Sequence, residues 1–249
     1  MPKKIAILQT GHIRSSVAAD YDELLIDGMQ LPRQYFEVID VQNGEYLPEG
    51  YNFSGVVISG SSLMLTENII WLDRTADWLR KLIKKNIPIL GICFGHQLLA
   101  YTFGGKVTDN PNDIEVGTKR ISFLNEAKND LLLKDFFPSI LAQVSHVQSV
   151  IELPENAVVL ASSEQEPFHA FRIGQNIWGL QFHPEFDAKI IRKIIVSKAE
   201  KYPGRIDVEK LFSEVEETPQ SYALLHKFAE IILQNISNKS RGNKKMKSF

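Results

Sequence analysis

The sequence predicts an α/β protein with a doubly wound, mostly parallel sheet that continues into an antiparallel extension. Two apolar runs, at residues 56–58 and 87–90, show no alternation and are typical of strands covered on both faces. Between them, apolar residues recur at intervals of three and four from about Glu67 to Lys85, which predicts an amphipathic helix. Strand, helix and strand in this order imply a right-handed crossover and therefore parallel pairing.

Short β-rich runs predict eight strands. These are Lys4–Leu8, Phe36–Val41, Gly55–Ser59, Ile87–Ile92, Leu141–Ser145, Val158–Ala161, His169–Arg172 and Ile177–Gln181. The last four follow one another without helices between them, unlike the strands in the first half of the chain. Strands that are joined directly pair antiparallel, so we expect the antiparallel extension from Leu141 to Gln181.

The pattern after Glu185 is helical. Asp187 is a predicted N-cap, and Thr218-Pro219 is a second helix start. These helices either pack on the main domain or form a small appendage. We divide the chain into an α/β domain over residues 1–200, a helical appendage over 201–237 and a basic tail over 238–249. We expect the tail to be disordered rather than a dedicated binding element.

Composition excludes several classes of protein. The chain has 249 residues, of which 44% are hydrophobic, and a formal net charge of -2, which gives no general attraction to nucleic acid or membrane surfaces. No apolar run approaches the roughly 20 residues that span a bilayer, and no apolar segment follows the basic start as in a secretory signal. A single cysteine, Cys93, excludes an intrachain disulfide and suits the cytoplasm. We therefore expect a cytoplasmic protein with neither nucleic acid nor membrane as partner.

Cys93 lies in the sharpest local motif of the sequence. Gly91-Ile92-Cys93-Phe94-Gly95 has the form of a strand-to-helix elbow, in which glycines leave space for a nucleophile on a cramped turn. The start of the following helix places backbone N–H groups and the positive end of the helix dipole near the sulfur, and both favour the thiolate. The alternative is a structural cysteine that is buried in a tight turn.

A thiolate nucleophile requires a base and a group that orients the base. His183 ends a predicted strand, and Glu185 lies two positions further on, where an extended chain points both side chains the same way. The carboxylate can therefore reach the imidazole, which predicts a triad of Cys93, His183 and Glu185. Without the upstream cysteine, the same histidine and glutamate would indicate only a loop. Four other polar residues lack such a context and are interpreted as structural: His12, Ser54, His169 and His226.

The motifs resemble those of class I glutamine amidotransferases, over about residues 4–190. The resemblance rests on residues 88–100, on Gly104-Gly105-Lys106-Val107 and on residues 179–185, in that order along the chain. It is closest to stand-alone members similar to the glutaminase part of GMP synthetase. The resemblance implies that residues 1–200 form the amidotransferase domain, that Cys93, His183 and Glu185 are catalytic, and that no cofactor or metal takes part.

The resemblance also assigns an oxyanion hole and a substrate pocket. Gly60 matches a family glycine whose N–H binds the oxyanion, but Ser61-Ser62 replaces the usual Gly-Pro, and the N–H of Phe94 would be the second donor. Gln97 matches a glutamine that helps to bind the substrate amino acid. Ser145-His146 matches a pair that shapes the pocket, although His146 could equally be a structural loop residue.

Three functions remain open. The first is hydrolysis of the γ-amide of glutamine through a γ-glutamyl thioester, with release of ammonia. The second is γ-glutamyl peptidase or hydrolase activity on the same fold, and the third, favoured by Ser61-Ser62, is a non-catalytic scaffold or regulator. The 64 residues after Glu185 leave no room for a synthetase domain, and the sequence has no Gly-rich nucleotide loop. We therefore expect glutamine or another γ-glutamyl compound as ligand, and any ammonia acceptor on a separate synthetase subunit.

Overall fold

The computed structural model describes residues 3–13, 19–49 and 52–246, which contain eleven β-strands and six α-helices. The strands are β1 (Ile5–Gln9), β2 (Phe36–Asp40), β3 (Gly55–Ile58), β4 (Ile89–Ile92), β5 (Lys106–Asp109), β6 (Glu115–Phe123), β7 (Ser139–His146), β8 (Gln148–Glu152), β9 (Ala157–Ser162), β10 (Ala170–Ile173) and β11 (Ile177–Leu180). The helices are α1 (Tyr21–Met29), α2 (Leu72–Ile83), α3 (Phe94–Thr102), α4 (Ala188–Lys201), α5 (Val208–Glu214) and α6 (Pro219–Met246).

Nine strands form one sheet in the order β2-β1-β3-β4-β11-β10-β9-β6-β7, and β5 pairs with β8 separately. The first five strands in this order, namely β2, β1, β3, β4 and β11, are parallel to one another. The remaining strands, β10, β9, β6 and β7, continue the sheet in antiparallel pairs. The predicted α/β class and its antiparallel extension are therefore confirmed.

Helices cover both faces of the parallel strands. Side chains alternate across a strand, so Ile5 and Ile7 of β1 pack in the layer that contains α1 and α6, whereas Ala6 and Leu8 pack in the layer that contains α2 and α3. This two-sided burial explains why β3 and β4 read as continuous apolar runs. Among the helices in the described residues, none is both long enough and apolar enough to cross a bilayer.

Helix α6 belongs to the main core. The helical appendage expected over residues 201–237 is therefore not a separate unit from Pro219 onward. Phe228 is fully buried, and its ring lies 6.2 Å from the ring of Trp178 in β11. The helix packs on α1 and β7 because its apolar stripe requires a surface to cover it. Helices α4 and α5 instead pack on the antiparallel part of the sheet, around Val116 and Ile191.

The tail prediction also differs from the structure. The backbone of α6 continues as helix to Met246, so residues 238–246 are helical rather than disordered, and residues 247–249 lie outside the described part of the chain. Lysine and arginine are good helix formers, and positive charge is favourable at the C-terminal end of a helix dipole. A local excess of charge therefore did not indicate disorder here.

Four further elements differ from the sequence prediction. Helix α2 begins at Leu72, not near Glu67, because Glu67 donates its N–H to the Met64 carbonyl in a turn. Strands β5, β6 and β8 were not predicted. β6 contains Gly117 and the charged residues Lys119-Arg120, and its strand conformation depends on pairing with β7 along its length.

The sheet order determines where the site forms. β4 and β11 are parallel neighbours, with Ile92 opposite Leu180, and Cys93 donates its backbone N–H to the Leu180 carbonyl at 2.8 Å. Parallel neighbours end at the same edge of a sheet. The residues after β4 and after β11 therefore meet, although they are far apart in sequence.

Candidate active site

Cys93 lies at the elbow between β4 and α3. Its φ of 50° and ψ of -102° are rarely adopted by residues with a side chain. Gly91 and Gly95 permit the tight turn, since an added Cβ would lie 2.4 Å from the Gly95 carbonyl oxygen and 2.5 Å from the Ile58 carbonyl oxygen, respectively. Strained backbone is concentrated at functional sites, so this geometry favours a nucleophile over a structural cysteine.

His183 is held between Glu185 and an aromatic ring. Its Nδ1 lies 2.7 Å from Glu185 Oε1, and both side chains are almost completely buried. The ring of Phe186 stacks on the imidazole, with centroids 4.1 Å apart and planes 7° from parallel. The His183 backbone N–H donates to the Gln143 carbonyl at 2.8 Å. Because Nδ1 is occupied by the carboxylate, Nε2 is the nitrogen available to Cys93.

The electrostatics of the site favour a thiolate beside an imidazolium. Burial raises the pKa of the Cys93 thiol, but the charge of His183 and its hydrogen bond to the sulfur outweigh burial and lower that pKa. Burial lowers the pKa of His183, but the charges of Glu185 and Cys93 raise it to about 10. Proton transfer from sulfur to nitrogen is therefore favoured before any substrate binds.

Cys93 lines a cavity of ≈ 30 Å³ with four other residues that the sequence predicted for the site, namely Phe94, Gln97, Ser145 and His146. Cys93 Sγ lies 3.9 Å from the Ser145 carbonyl oxygen. Gln97 is anchored, since its Nε2 donates to the Gln148 carbonyl at 2.8 Å and to Gln181 Oε1 at 3.0 Å. This volume is well below the roughly 300–1,000 Å³ of typical ligand pockets, so the walls lie close to Cys93 in this structure.

Ser61, rather than Gly60, lines this cavity. The Gly60 carbonyl accepts hydrogen bonds from the Thr10 hydroxyl at 3.1 Å and the Ser59 hydroxyl at 3.0 Å. The Ser61 N–H belongs to the same planar trans peptide and points in the direction opposite to the Gly60 carbonyl, so these two hydrogen bonds also orient the N–H. Among the described residues the Ser61 N–H has no acceptor. The oxyanion donor expected at Gly60 is therefore better assigned to Ser61.

Gly60 has a packing role instead. A Cβ at this position would lie 2.9 Å from Cε1 of His183 and 3.2 Å from the ring of Tyr21. The glycine thus allows the loop after β3 to approach the imidazole. The Ser61-Ser62 departure does not remove a backbone N–H, so a donor for an oxyanion is retained whatever the side chain.

His146 is part of a buried polar network that the sequence did not indicate. Its Nε2 lies 2.7 Å from Glu115 Oε2, and its Nδ1 lies 3.1 Å from the Gln148 carbonyl oxygen. Both partners accept hydrogen bonds, so this arrangement favours the doubly protonated form of His146. Burial lowers the pKa of His146, but Glu115 raises it above its ordinary value, and His146 in turn helps to lower the pKa of Cys93.

His169 completes this network and makes it resemble a metal site. Its Nε2 lies 3.1 Å from Glu115 Oε2 and 3.0 Å from the Ser163 hydroxyl. Glu115, His146 and His169 could together supply three metal ligands. The two Nε2 atoms, however, lie at hydrogen-bond distance from the same Glu115 oxygen. The two imidazoles and the carboxylate would have to move apart to coordinate an ion at about 2.0–2.2 Å. The contacts are those of a hydrogen-bonded ion pair.

Lys198 and Gln148 also line the cavity, and sequence reasoning missed both. Lys198 lies three and seven positions after the buried Ile195 and Ile191, so it continues the buried face of α4. A lysine on an apolar helix face is the signal that could have identified it. A more open groove of ≈ 590 Å³ lies on the outside of α4, between Lys189 and Val215, and has no nucleophile in its wall.

Comparison with known proteins shows the family. The family model "Glutamine amidotransferase class-I" matches residues 21–199. Gamma-glutamyl peptidase 4 of Arabidopsis thaliana is 35% identical over 167 residues, which are 64% of this chain and 64% of the peptidase. The chain thus matches less than two thirds of that relative's length. A glutamine-hydrolyzing GMP synthase subunit of Saccharolobus solfataricus is 34% identical over 166 residues, which are 66% of this chain and 84% of the synthase subunit.

Solved structures share the fold. The crystal structure of a glutamine amidotransferase from Thermotoga maritima superposes with a TM-score of 0.73 at 24% identity, over 92% of this chain and 97% of the other. At this identity the likeness concerns the fold alone.

Proposed function

This chain belongs to the class I glutamine amidotransferase family, and we propose that it hydrolyses a γ-glutamyl amide with Cys93 as nucleophile. One arrangement supports the proposal above all. A cysteine on a strained elbow faces an imidazole whose other nitrogen lies 2.7 Å from the buried Glu185 carboxylate. This is the relationship of nucleophile, base and orienting group that acyl transfer requires.

In the first half-reaction, the Cys93 thiolate attacks the γ-carbonyl carbon of the substrate. A C–S bond forms, and the carbonyl π electrons move to oxygen, where the N–H groups of Ser61 and Phe94 bind the oxyanion. Collapse of the tetrahedral intermediate breaks the C–N bond. The His183 imidazolium gives its proton to the leaving nitrogen, so ammonia or an amine departs and a γ-glutamyl thioester remains.

In the second half-reaction, neutral His183 takes a proton from water, and the hydroxide attacks the thioester carbonyl. The C–S bond breaks, glutamate is released, and the proton on His183 restores the thiolate–imidazolium pair. Glu185 remains a carboxylate throughout and stabilises the imidazolium. Water is the second reactant, and no oxidant or reductant enters this balance.

Two substrate classes are compatible with this chemistry. Free glutamine is supported by the likeness to the glutamine-hydrolyzing GMP synthase subunit. A γ-glutamyl peptide is supported by the likeness to a γ-glutamyl peptidase. Because the first of these relatives is one subunit of its synthase, a separate synthetase chain is the proposed ammonia acceptor. Because the catalytic thiol must remain reduced, the proposed location is the cytoplasm.

The test compares ammonia release from glutamine with glutamate release from γ-glutamyl peptides, using wild-type protein and Cys93→Ala. We expect hydrolysis of at least one substrate by the wild type and none by the variant. Acid quenching during turnover, followed by mass spectrometry, should find one γ-glutamyl group on Cys93. Absence of turnover with both substrate classes, together with absence of the adduct, would favour the scaffold alternative.

A further inference from the structure

Tyr21 brings a hydroxyl group to the edge of the His183 imidazole. It is the first residue of α1, and its side chain is buried. A Cβ built on Gly60 would lie 2.9 Å from His183 Cε1 and 3.2 Å from Tyr21 Oη, so both atoms lie against the same side of this glycine. Cε1 is bonded to Nε2, the nitrogen that serves Cys93. The phenol oxygen is therefore close to the place where protons are exchanged with substrate and water.

Stacking and helix capping fix the position of Tyr21. Its ring lies 6.0 Å from the ring of Phe186 and 6.5 Å from that of His183, with planes 26° and 20° from parallel. Its backbone N–H donates to Asp20 Oδ1 at 2.8 Å, and Asp20 Oδ2 lies 2.7 Å from His12 Nδ1. An N-cap that is itself held on both oxygens sets the start of the helix. The hydroxyl is thus in place before a substrate binds.

The hydroxyl has no hydrogen-bond partner among the residues that the structure describes. A tyrosine hydroxyl in a buried position ordinarily has a partner, so this one is available to a bound water molecule. Burial raises the pKa of Tyr21 well above its ordinary value, and the negative charges of Cys93 and Glu185 raise it further. The phenol therefore stays neutral and leaves the role of base to His183.

We propose that the Tyr21 hydroxyl holds the water molecule that hydrolyses the γ-glutamyl thioester. In the second half-reaction this water donates one hydrogen to His183 Nε2 and the other to Tyr21 Oη, so that a lone pair faces the thioester carbonyl on Cys93. His183 takes the proton, and Tyr21 keeps its own. The inference rests on the proposed function and concerns only the step in which water enters.

The test measures how the thioester divides between water and an added nucleophile. Hydroxylamine converts the thioester to a γ-glutamyl hydroxamate, and water converts it to glutamate. The initial ratio of these products does not depend on which step limits turnover. Hydroxylamine is a stronger nucleophile than water and depends less on being positioned. Tyr21→Phe keeps the ring and removes the hydroxyl, so at a fixed hydroxylamine concentration we expect the hydroxamate-to-glutamate ratio to rise by about 10-fold.

The first half-reaction supplies an internal control. Amine release in a single turnover with excess enzyme measures attack by Cys93, and in Tyr21→Phe it should stay within about twofold of the wild-type rate. Alkylation of Cys93 should also be unaltered, because the pair with His183 does not include the hydroxyl. Tyr46→Phe removes the hydroxyl of a tyrosine that is 87% exposed, and it should change neither the product ratio nor amine release.

The outcomes separate failure of this inference from failure of the proposed function. An unchanged product ratio in Tyr21→Phe overturns the assignment of Tyr21, while hydrolysis through Cys93 stands. Slower amine release with an unchanged ratio would show that Tyr21 positions His183 for both half-reactions, which also contradicts the proposal. If the wild type releases no amine from any γ-glutamyl substrate and forms no adduct on Cys93, the proposed hydrolysis is wrong, and the inference is wrong with it.

Discussion

Glu115 and His146 form a buried charge pair beside the cavity of the nucleophile, with Oε2 and Nε2 2.7 Å apart. They are register partners on β6 and β7, so sheet pairing itself aligns them. His146 lines the Cys93 cavity, and Glu115 lies behind it. The carboxylate therefore holds a second imidazolium beside the sulfur, in addition to His183.

Replacing Glu115 by Gln should raise the pKa of Cys93. Without the carboxylate, burial favours neutral His146, and the sulfur loses one of the positive charges that stabilise its thiolate. The measurement is the pH dependence of Cys93 alkylation, whose inflection should move to higher pH. Glu126→Gln, at an exposed position, is the control and should leave the inflection unchanged. An identical profile in both variants would contradict a role for Glu115.

Alkylation of the wild-type protein should show a thiolate below the pH at which an ordinary thiol ionises. The pKa of Cys93 is lowered from its ordinary value of 9.0, so the rate of reaction with iodoacetamide should stay high as pH falls through that value. Cys93 is the only cysteine in the chain, so incorporated label reports on it alone. A rate that rises only near pH 9 in native protein would indicate a structural cysteine.

Strain at the elbow predicts an order of stability. Cys93→Ala keeps a Cβ at φ 50° and should retain the fold while abolishing hydrolysis. Cys93→Gly should also be inactive but more stable than Cys93→Ala by about 1 kcal/mol, because glycine adopts this conformation without strain. Urea denaturation measures the difference. Equal midpoints for the two variants would show that the backbone here stores no strain.

Glu185→Gln should affect turnover more than substrate binding. Glu185 raises the pKa of His183, so the amide makes the imidazolium less stable when it forms. We expect kcat to fall by about 10⁴ and KM to stay within a few-fold, with a smaller loss than for Cys93→Ala. Glu200→Gln, at an exposed position on α4, serves as the control. A rise in KM alone would identify Glu185 as a substrate contact.

Packing of α6 predicts that its apolar stripe supports the whole fold. Phe228→Ala should lower the free energy of unfolding by about 3–5 kcal/mol, because the ring is completely buried against the sheet. Leu233→Ala, on the same helix but 46% exposed, should change it by less than about 0.5 kcal/mol. Urea unfolding of both variants gives the comparison, and similar losses would indicate a loosely attached helix.

Local sequence patterns determined the α/β class, the elbow around Cys93 and the contact between His183 and Glu185. Each depends on neighbours in the chain: a covered strand produces an unbroken apolar run, and residues two apart in extended chain point the same way. The meeting of Cys93 with His183 spans ninety residues; the requirement of a thiolate for a base predicted it, and the family resemblance also implied it.

Only the tertiary structure decided the rest of the site. Glu115 had no signal because its partner is set by the pairing of β6 with β7. Lys198 follows the apolar spacing of α4, but a lysine is ordinarily solvated, so only the structure shows that it lines the cavity. The Ser61 N–H has a fixed direction because Thr10 and Ser59 hold the Gly60 carbonyl of the same peptide. Hydrogen-bond satisfaction and charge pairing are properties of groups that meet in space, so a sequence reveals them only where those groups are also neighbours along the chain.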